Sequence, residues 1–299
     1  MRMPYAAAPP APSGLLVVDK PVGGTSFDVI RTARKRLQTK KIGHAGTLDP
    51  FASGVLLLAV GPATKALTHL LKADKTYRTT VVFGAASDTL DTDGEVAVAP
   101  PPAITGVEVA AALVGFHGET MQVPPQYSAV KVGGKAAYRH ARAGETVELT
   151  ARPVHLHDAE LLEFDTFPGG AFAGLPFADI RLHTGSGFYV RSLARDLGAA
   201  LGTTAICSQL RRERVGRFAL AGAIPPDAIT PTHLFALTPA DFAFPAVELS
   251  SDAYADFTHG RRVPAPPELA GQVSVFCEGR WCGFAKAADG WAQPRTVVG

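Results

Sequence analysis

The stretch Gly43-His44-Ala45-Gly46-Thr47-Leu48-Asp49-Pro50 decides how this chain reads. Two glycines mark a turn, a proline closes it, and residues 55–60 follow as an apolar run of strand length. A carboxylate at such a loop–strand junction can point into a cleft while the scaffold holds it still. An Asp in a turn ordinarily caps backbone amides, so the acid taken singly leaves both readings open. Just upstream, residues 15–19 form a short buried strand, ended by Pro21 and the turn at Gly23-Gly24. Residues 25–28 have the form of a capping box. Phe27, Ile30, Ala33 and Leu37 then recur at helical spacing, with Arg31, Arg34 and Lys35 on other faces. The pattern predicts an amphipathic helix with a basic outer side.

Downstream, residues 63–71 fit a helix, 77–83 a β-rich strand and 108–114 a short helix. Residues 122–152 break the pattern with two prolines, Gly133-Gly134, and Lys131, Lys135, Arg139 and Arg142 among Tyr127 and Tyr138. Such an excursion, carrying basic and aromatic groups, is suited to clamping RNA. Residues 165–179, with Pro-Gly-Gly and Leu-Pro, form a long connection. Residues 177–183 alternate as a strand, 189–201 read as a helix, and a strand-like stretch with an Arg-rich segment follows Gly202. Residues 236–245 read as a linker to a small β-rich appendage with strands near 273–276 and 281–286.

With 299 residues, 46% hydrophobic and 19% charged, the chain can bury a core and fill one large domain plus a small one, or two of middling size. A net charge of +2 does not by itself announce nucleic acid, but its distribution is uneven. Arg31, Arg34, Lys35, Arg36, Lys40 and Lys41 are opposed only by Asp28, and Arg211, Arg212, Arg214 and Arg217 only by Glu213; local runs of this kind can follow a phosphate backbone. Cys207, Cys277 and Cys282 form no CxxC pair, which argues against a zinc ribbon or disulfide framework. Asp88, Asp91 and Asp93 lack the ligand set of a calcium loop, and His155-x-His157 offers two imidazoles without a third nearby. No stretch reaches the ~18 apolar residues of a membrane span. Residues 1–13 read as a flexible Ala/Pro tail, and a cytoplasmic protein is expected.

Five segments in order, GLLVVDKPVGGTSFDVI from Gly14, KKIGHAGTLDPFASGVLLLAVGPATK from Lys40, KTYRTTVVFGAASDTLDTDGEV from Lys75, QVPPQYSAVKVGGKAAYRHARAGE from Gln122 and TGSGFYVRSLARDLG from Thr184, together resemble the TruB family of tRNA pseudouridine-55 synthases. The resemblance runs from about residue 14 to 220. It implies an α+β fold with a mixed, mainly antiparallel sheet flanked by helices over residues 14–240, an RNA-clamping insertion at about 122–152, and a small β-rich PUA-like RNA-binding domain over residues 246–299. It implies isomerisation of uridine 55 in the tRNA T-loop to its C-glycoside, with no cofactor, no metal, no membrane and no obligatory protein or guide-RNA partner, by a monomer. RNA remodelling as a tRNA folding factor is a second activity consistent with opening the loop.

The reaction breaks C1′–N1, rotates the held base and joins C5 to C1′. A carboxylate serves either as nucleophile at C1′ or as base at the sugar. By the resemblance Asp49 is that group, Tyr77 stacks on the target base, and Arg191 pairs with the carboxylate to keep it ionised. His44 enters the RNA stack vacated by base flipping. Tyr189 and Leu210 match pocket positions, and Lys20 and Lys65 lie in matching motifs where an amine can contact phosphate or line the pocket.

Overall fold

The computed structural model describes residues 12–298; the tail read at residues 1–13 lies outside them but for its last two positions. Nine strands make the larger sheet: β1 (Gly14–Lys20), β2 (Ile42–His44), β3 (Ser53–Val60), β4 (Lys75–Phe83), β5 (Gly118–Gln122), β6 (Arg152–Thr166), β7 (Pro176–Thr184), β8 (Ala205–Val215) and β9 (Phe218–Ala219). Its order is β1-β3-β8-β4-β7-β6-β5, with β2 also on β3 and β9 on β8. Every pair is antiparallel except the short contact of β3 with β8, where Ser53 and Gly54 face Arg211 and Arg212 in parallel register.

Burial on two faces explains the apolar run of β3. Leu56 and Leu58 pack with Leu16, Val18, Val29, Ile30 and Ala33 beneath helix α1 (Ser26–Arg36). Val55, Leu57 and Ala59 pack the other way, with Leu15, Val17 and Val215. A strand buried on both sides loses the polar alternation of a half-exposed one. Helices α2 (Gly106–Val114) and α3 (Val190–Ala200) supply Val109, Leu113, Leu193 and Leu197 to a second cluster that includes Tyr77, Ile180 and Leu210.

The C-terminal unit is a five-stranded sheet of β10 (Ala246–Leu249), β11 (Val263–Pro264), β12 (Gly271–Cys277), β13 (Arg280–Ala288) and β14 (Trp291–Val297), ordered β10-β12-β13-β14-β11, with helix α4 (Ser251–Thr258) against it. One side of it buries Val247, Phe257, Val273 and Val275. The other side sends Phe276, Trp281 and Phe284 into the cluster of Leu15, Val17, Ala63 and Leu70. The α+β class with a small PUA-like β-rich unit is thus the observed architecture.

The helix at residues 26–36 forms with the expected capping box, Thr25 and Asp28 each taking the other's backbone N–H. Phe27, however, is 58% exposed. The buried stripe is Ser26, Val29, Ile30, Ala33 and Leu37, and Phe27 lies beside it under the Arg34 guanidinium, 5.6 Å from the ring centroid. The helix expected over 63–71 is a 3₁₀ segment, Gly61–Ala66, followed by a single α-turn, Leu67–Leu70. The connection at 165–179 is a hairpin joining β6 to β7 through a 3₁₀ turn at Gly170–Phe172. The excursion at 122–152 holds a two-residue hairpin, Lys131–Val132 with Lys135–Ala136, and a short helix, Ala137–Ala141. All three cysteines are buried and free.

Candidate active site

Asp49 sits within the loop of residues 45–52, whose backbone is held by several side chains. Ser26 Oγ accepts the Leu48 N–H at 2.8 Å, and Arg212 donates to the carbonyls of Gly46 (3.0 Å) and Val55 (2.8 Å). The Lys20 ammonium donates to the carbonyls of Pro21 (2.8 Å), Pro50 (3.3 Å) and Ala52 (2.6 Å), and Gly23 N–H donates to the Pro50 carbonyl at 2.8 Å. Gly46, at φ +109, adopts a conformation that an L side chain resists. Groups fixed in this way can aim a carboxylate without reorganisation during reaction.

The Asp49 carboxylate meets Arg191, with Oδ2 2.9 Å from Nη2; the Asp49 side chain is 34% exposed and Arg191 only 4%. Burial pushes the Asp49 pKa above its ordinary value, and the charge and hydrogen bond of Arg191 oppose that rise. Arg191 sits in the first turn of α3, where the helix dipole is unfavourable to a cation. It is compensated by a second acid: Asp91 Oδ2 lies 3.1 Å from Nη1 and is itself buried. Nη1 also donates to the Thr89 carbonyl (2.7 Å) and Nη2 to that of Tyr127 (2.8 Å).

Asp91 is held in turn by the Thr89 hydroxyl at 2.6 Å and the Asp93 N–H at 2.9 Å, while Asp93 accepts the Phe51 N–H at 3.2 Å. The acidic segment 88–93 therefore orients the guanidinium and ties down the residue two beyond Asp49. In the sequence these acids show only that they lack the ligand set of a calcium loop. Their spacing carried no sign of a partner a hundred residues away.

Tyr77 lies on β4 between Leu182 of β7 and Arg212 of β8. It is 8% exposed and packs in one cluster with Leu48, Phe51 and Leu210. Tyr189 is half-buried just before α3, with its N–H donating to Gln122 Oε1 at 2.8 Å and its carbonyl accepting from Gln122 Nε2 at 3.0 Å. Burial raises the pKa of its phenol. His44, at the end of β2, is half-buried with Nδ1 sealed from solvent and unpartnered. Burial and the nearby Arg212 lower its pKa and favour the neutral imidazole.

Lys20 is wholly buried, with its three N–H donors directed at backbone carbonyls, and burial brings its pKa down to about 8. Lys65 reaches away from the cleft, donating to the Val297 carbonyl at 2.5 Å. The second basic run is not one free face: Arg211 pairs with Asp19 at 2.8 Å, Arg217 with Asp241, and Arg212 is 1% exposed. Strand periodicity separates these neighbours, and only Arg214 of the four projects without a charged partner among the described residues. The structure thus pairs Asp49 with Arg191, packs Tyr77 and Leu210 in one cluster with Leu48 and Phe51 on either side of the acid, and sets Tyr189 two residues before Arg191. His44 lies just ahead of the loop that carries the acid, and Lys20, at the end of β1, grips its backbone.

The TruB family pseudouridylate synthase N-terminal model matches residues 34–190, and the pseudouridine synthase II TruB C-terminal model matches residues 245–298. This chain belongs to the TruB family. Similar proteins include a tRNA pseudouridine synthase B of Azoarcus sp. (strain BH72), 40% identical over 95% of this chain and 94% of its own length. A second is the tRNA pseudouridine synthase B of Thermobifida fusca (strain YX), 41% identical over 95% of this chain and 98% of its own. Among solved structures, a chain of a Cbf5-Nop10-Gar1 complex superposes with a TM-score of 0.69 at 25% identity, over 96% of this TruB-family chain and 84% of that one.

Proposed function

We propose that this TruB-family chain is an isomerase that converts uridine 55 in the T-loop of tRNA to pseudouridine, without a cofactor. The observation that carries the reading is the Asp49 carboxylate, set 2.9 Å from a buried guanidinium in a loop fixed by Ser26, Lys20 and Arg212. The relatives named tRNA pseudouridine synthase B supply the substrate class.

In this reading residues 14–240 form the catalytic unit, residues 122–152 clamp RNA, and residues 246–299 add RNA contact. Tyr77 stacks on the flipped base. Asp49 either attacks C1′, expelling the base, and is displaced when C5 bonds to C1′, or takes a sugar proton as the C1′–N1 bond breaks and returns it as C5 bonds to C1′. In both routes the detached base turns, the C5 proton leaves to solvent and N1 takes up a proton. Arg191 holds Asp49 ionised despite its burial. Tyr189 and Leu210 exclude water from the pocket. His44, neutral and with an unpartnered nitrogen, fills the stack left by the flipped nucleotide. Lys20 contributes through its charge and its grip on the loop, since its buried ammonium does not reach a phosphate. The protein acts as a cytoplasmic monomer on free tRNA.

The test is tritium release from tRNA labelled at uridine C5, together with mapping of the modified position. Asp49→Asn abolishes release while tRNA binding and any tRNA refolding activity persist. Release at the parent rate from Asp49→Asn, or modification away from the T-loop, overturns the proposal.

A further inference from the structure

Outside the Asp49 cleft, one cluster of ligating side chains has no part in the reaction. Two members, His155 and His157, stand at alternate positions of β6; the fold adds His183 from β7 and Asp74 from the turn before β4. Donor atoms of Asp74, His157 and His183 all lie within 4.8 Å of one another, and all three residues are exposed. His157 Nε2 is 3.4 Å from Asp74 Oδ1, close to the roughly 3.3 Å that separates two donors on a tetrahedral ion with bonds of about 2.0–2.1 Å. The His155 ring centroid lies 4.5 Å from that of His157, which lies 4.7 Å from that of His183. A fourth donor is therefore within reach of a side-chain rotation.

The backbone places these groups by an irregularity. The β6–β7 ladder pairs Leu156 with Thr184 and Asp158 with His183, leaving His157 as the extra residue of a bulge. A bulge re-aims the side chain it carries. Asp74 is anchored through its carbonyl, which accepts the Gly216 N–H at 2.8 Å, and the His155 carbonyl accepts the Gly185 N–H at 2.8 Å. A Cβ at Gly185 would stand 3.3 Å from His155 Cβ and 3.9 Å from His157 Nε2, so the glycine leaves room beside the imidazoles. Imidazole and carboxylate donors together suit zinc, nickel or copper(II), whereas magnesium and calcium take oxygen shells.

We propose that Asp74, His157 and His183, with His155 beside them, form a binding site for a first-row transition metal ion of the zinc or nickel class. The remaining coordination positions belong to water, which makes the ion exchangeable. Its place in the fold gives it a consequence: Asp74 precedes the strand that carries Tyr77, and His183 adjoins Leu182, the β-ladder partner of Tyr77. A bound ion clamps the ends of β4, β6 and β7 and stabilises the folded chain, because the unfolded chain has no such site.

The full chain, stripped with a chelator, is titrated with Co²⁺ while visible ligand-field absorption is followed, then with Zn²⁺ in competition, and thermal unfolding is recorded with and without Zn²⁺. One equivalent of Co²⁺ binds saturably, Zn²⁺ displaces it, and Zn²⁺ raises Tm. His157→Ala, His157→Gln and His183→Ala each weaken binding by about tenfold or more, whereas His259→Ala, an exposed histidine of the C-terminal unit, leaves it unchanged. Metal-free Tm values equal to the parent's exclude misfolding of the exposed-site variants. Absence of saturable binding overturns the proposal, as does binding that survives these substitutions. Weakened RNA affinity in metal-free His157→Ala with ion binding intact overturns it too, and makes the cluster an RNA contact.

Discussion

Arg191 carries its guanidinium between Asp49 and Asp91, and the two carboxylates compete for one cation. Burial raises the pKa of each acid, and Arg191 draws each back down. If the reaction needs ionised Asp49, activity is present above its pKa and lost as pH falls through it. That acid limb lies above the ordinary carboxylate range. Asp91→Asn removes a negative neighbour and leaves Arg191 to Asp49 alone, so the limb moves to lower pH. The same change loosens Arg191, so turnover falls about tenfold or more while tRNA affinity changes little. A pH profile of kcat/KM with unmoved limb and parent turnover sinks the coupling. Asp49 and Arg191 were both legible from their motifs. Asp91 was not, because what marks it is proximity to a helix in another part of the chain. Arg212 is a parallel case: it read as one cation in a basic run, yet it is a buried clamp on the Asp49 loop, with no carboxylate partner among the described residues.

β3 and β8 touch in parallel register for only two residue pairs, and the contact depends on Gly54. At φ +104 its missing Cβ would lie 2.2 Å from the Arg212 carbonyl oxygen and 2.8 Å from its nitrogen. Both obstacles are backbone and cannot rotate away. Gly54→Ala therefore costs at least about 2 kcal/mol in urea unfolding, and it lowers turnover further because Arg212 moves with the strand. A stability loss under about 0.5 kcal/mol, the range of an ordinary surface change, would show that the approach is not constrained. At this scale most elements were readable, since helix and strand periods are local. The misses have local causes of their own. Pro62 and the left-handed Gly61 tighten the next turns into 3₁₀ geometry. Phe27 lies one position off the buried stripe of α1. The Arg-rich segment, expected as a basic patch, runs along a strand whose alternation and bulge between Arg212 and Arg214 bury Arg212, ion-pair Arg211 and leave Arg214 exposed, while Arg217, beyond the strand, pairs with Asp241.

The two sheets share a core. Phe276, Trp281 and Phe284 of the C-terminal unit lie in one cluster with Leu15, Val17 and Leu57 of the larger sheet. His69 packs edge-on against Phe284 at 4.2 Å between centroids, and Lys65 caps the Val297 carbonyl. Apolar area shared in this way couples the unfolding of the units. Calorimetry of the parent is expected to show one cooperative transition, and Phe284→Ala to lower stability by about 3–5 kcal/mol while depressing the transition as a whole. Two separate transitions in the parent would refute the shared core. The sequence by itself determined the family, the α+β class and most element positions, and it singled out Asp49 and Arg191, which the fold pairs, because motifs and periodicity are short-range properties of the chain. Only the tertiary structure decided that Asp91 completes the Arg191 site, that Arg212 and Lys20 are buried supports of the Asp49 loop, and that His183 and Asp74 join His157. Those roles depend on groups far apart in the chain converging within hydrogen-bonding or coordination distance, and local spacing carries no record of that convergence.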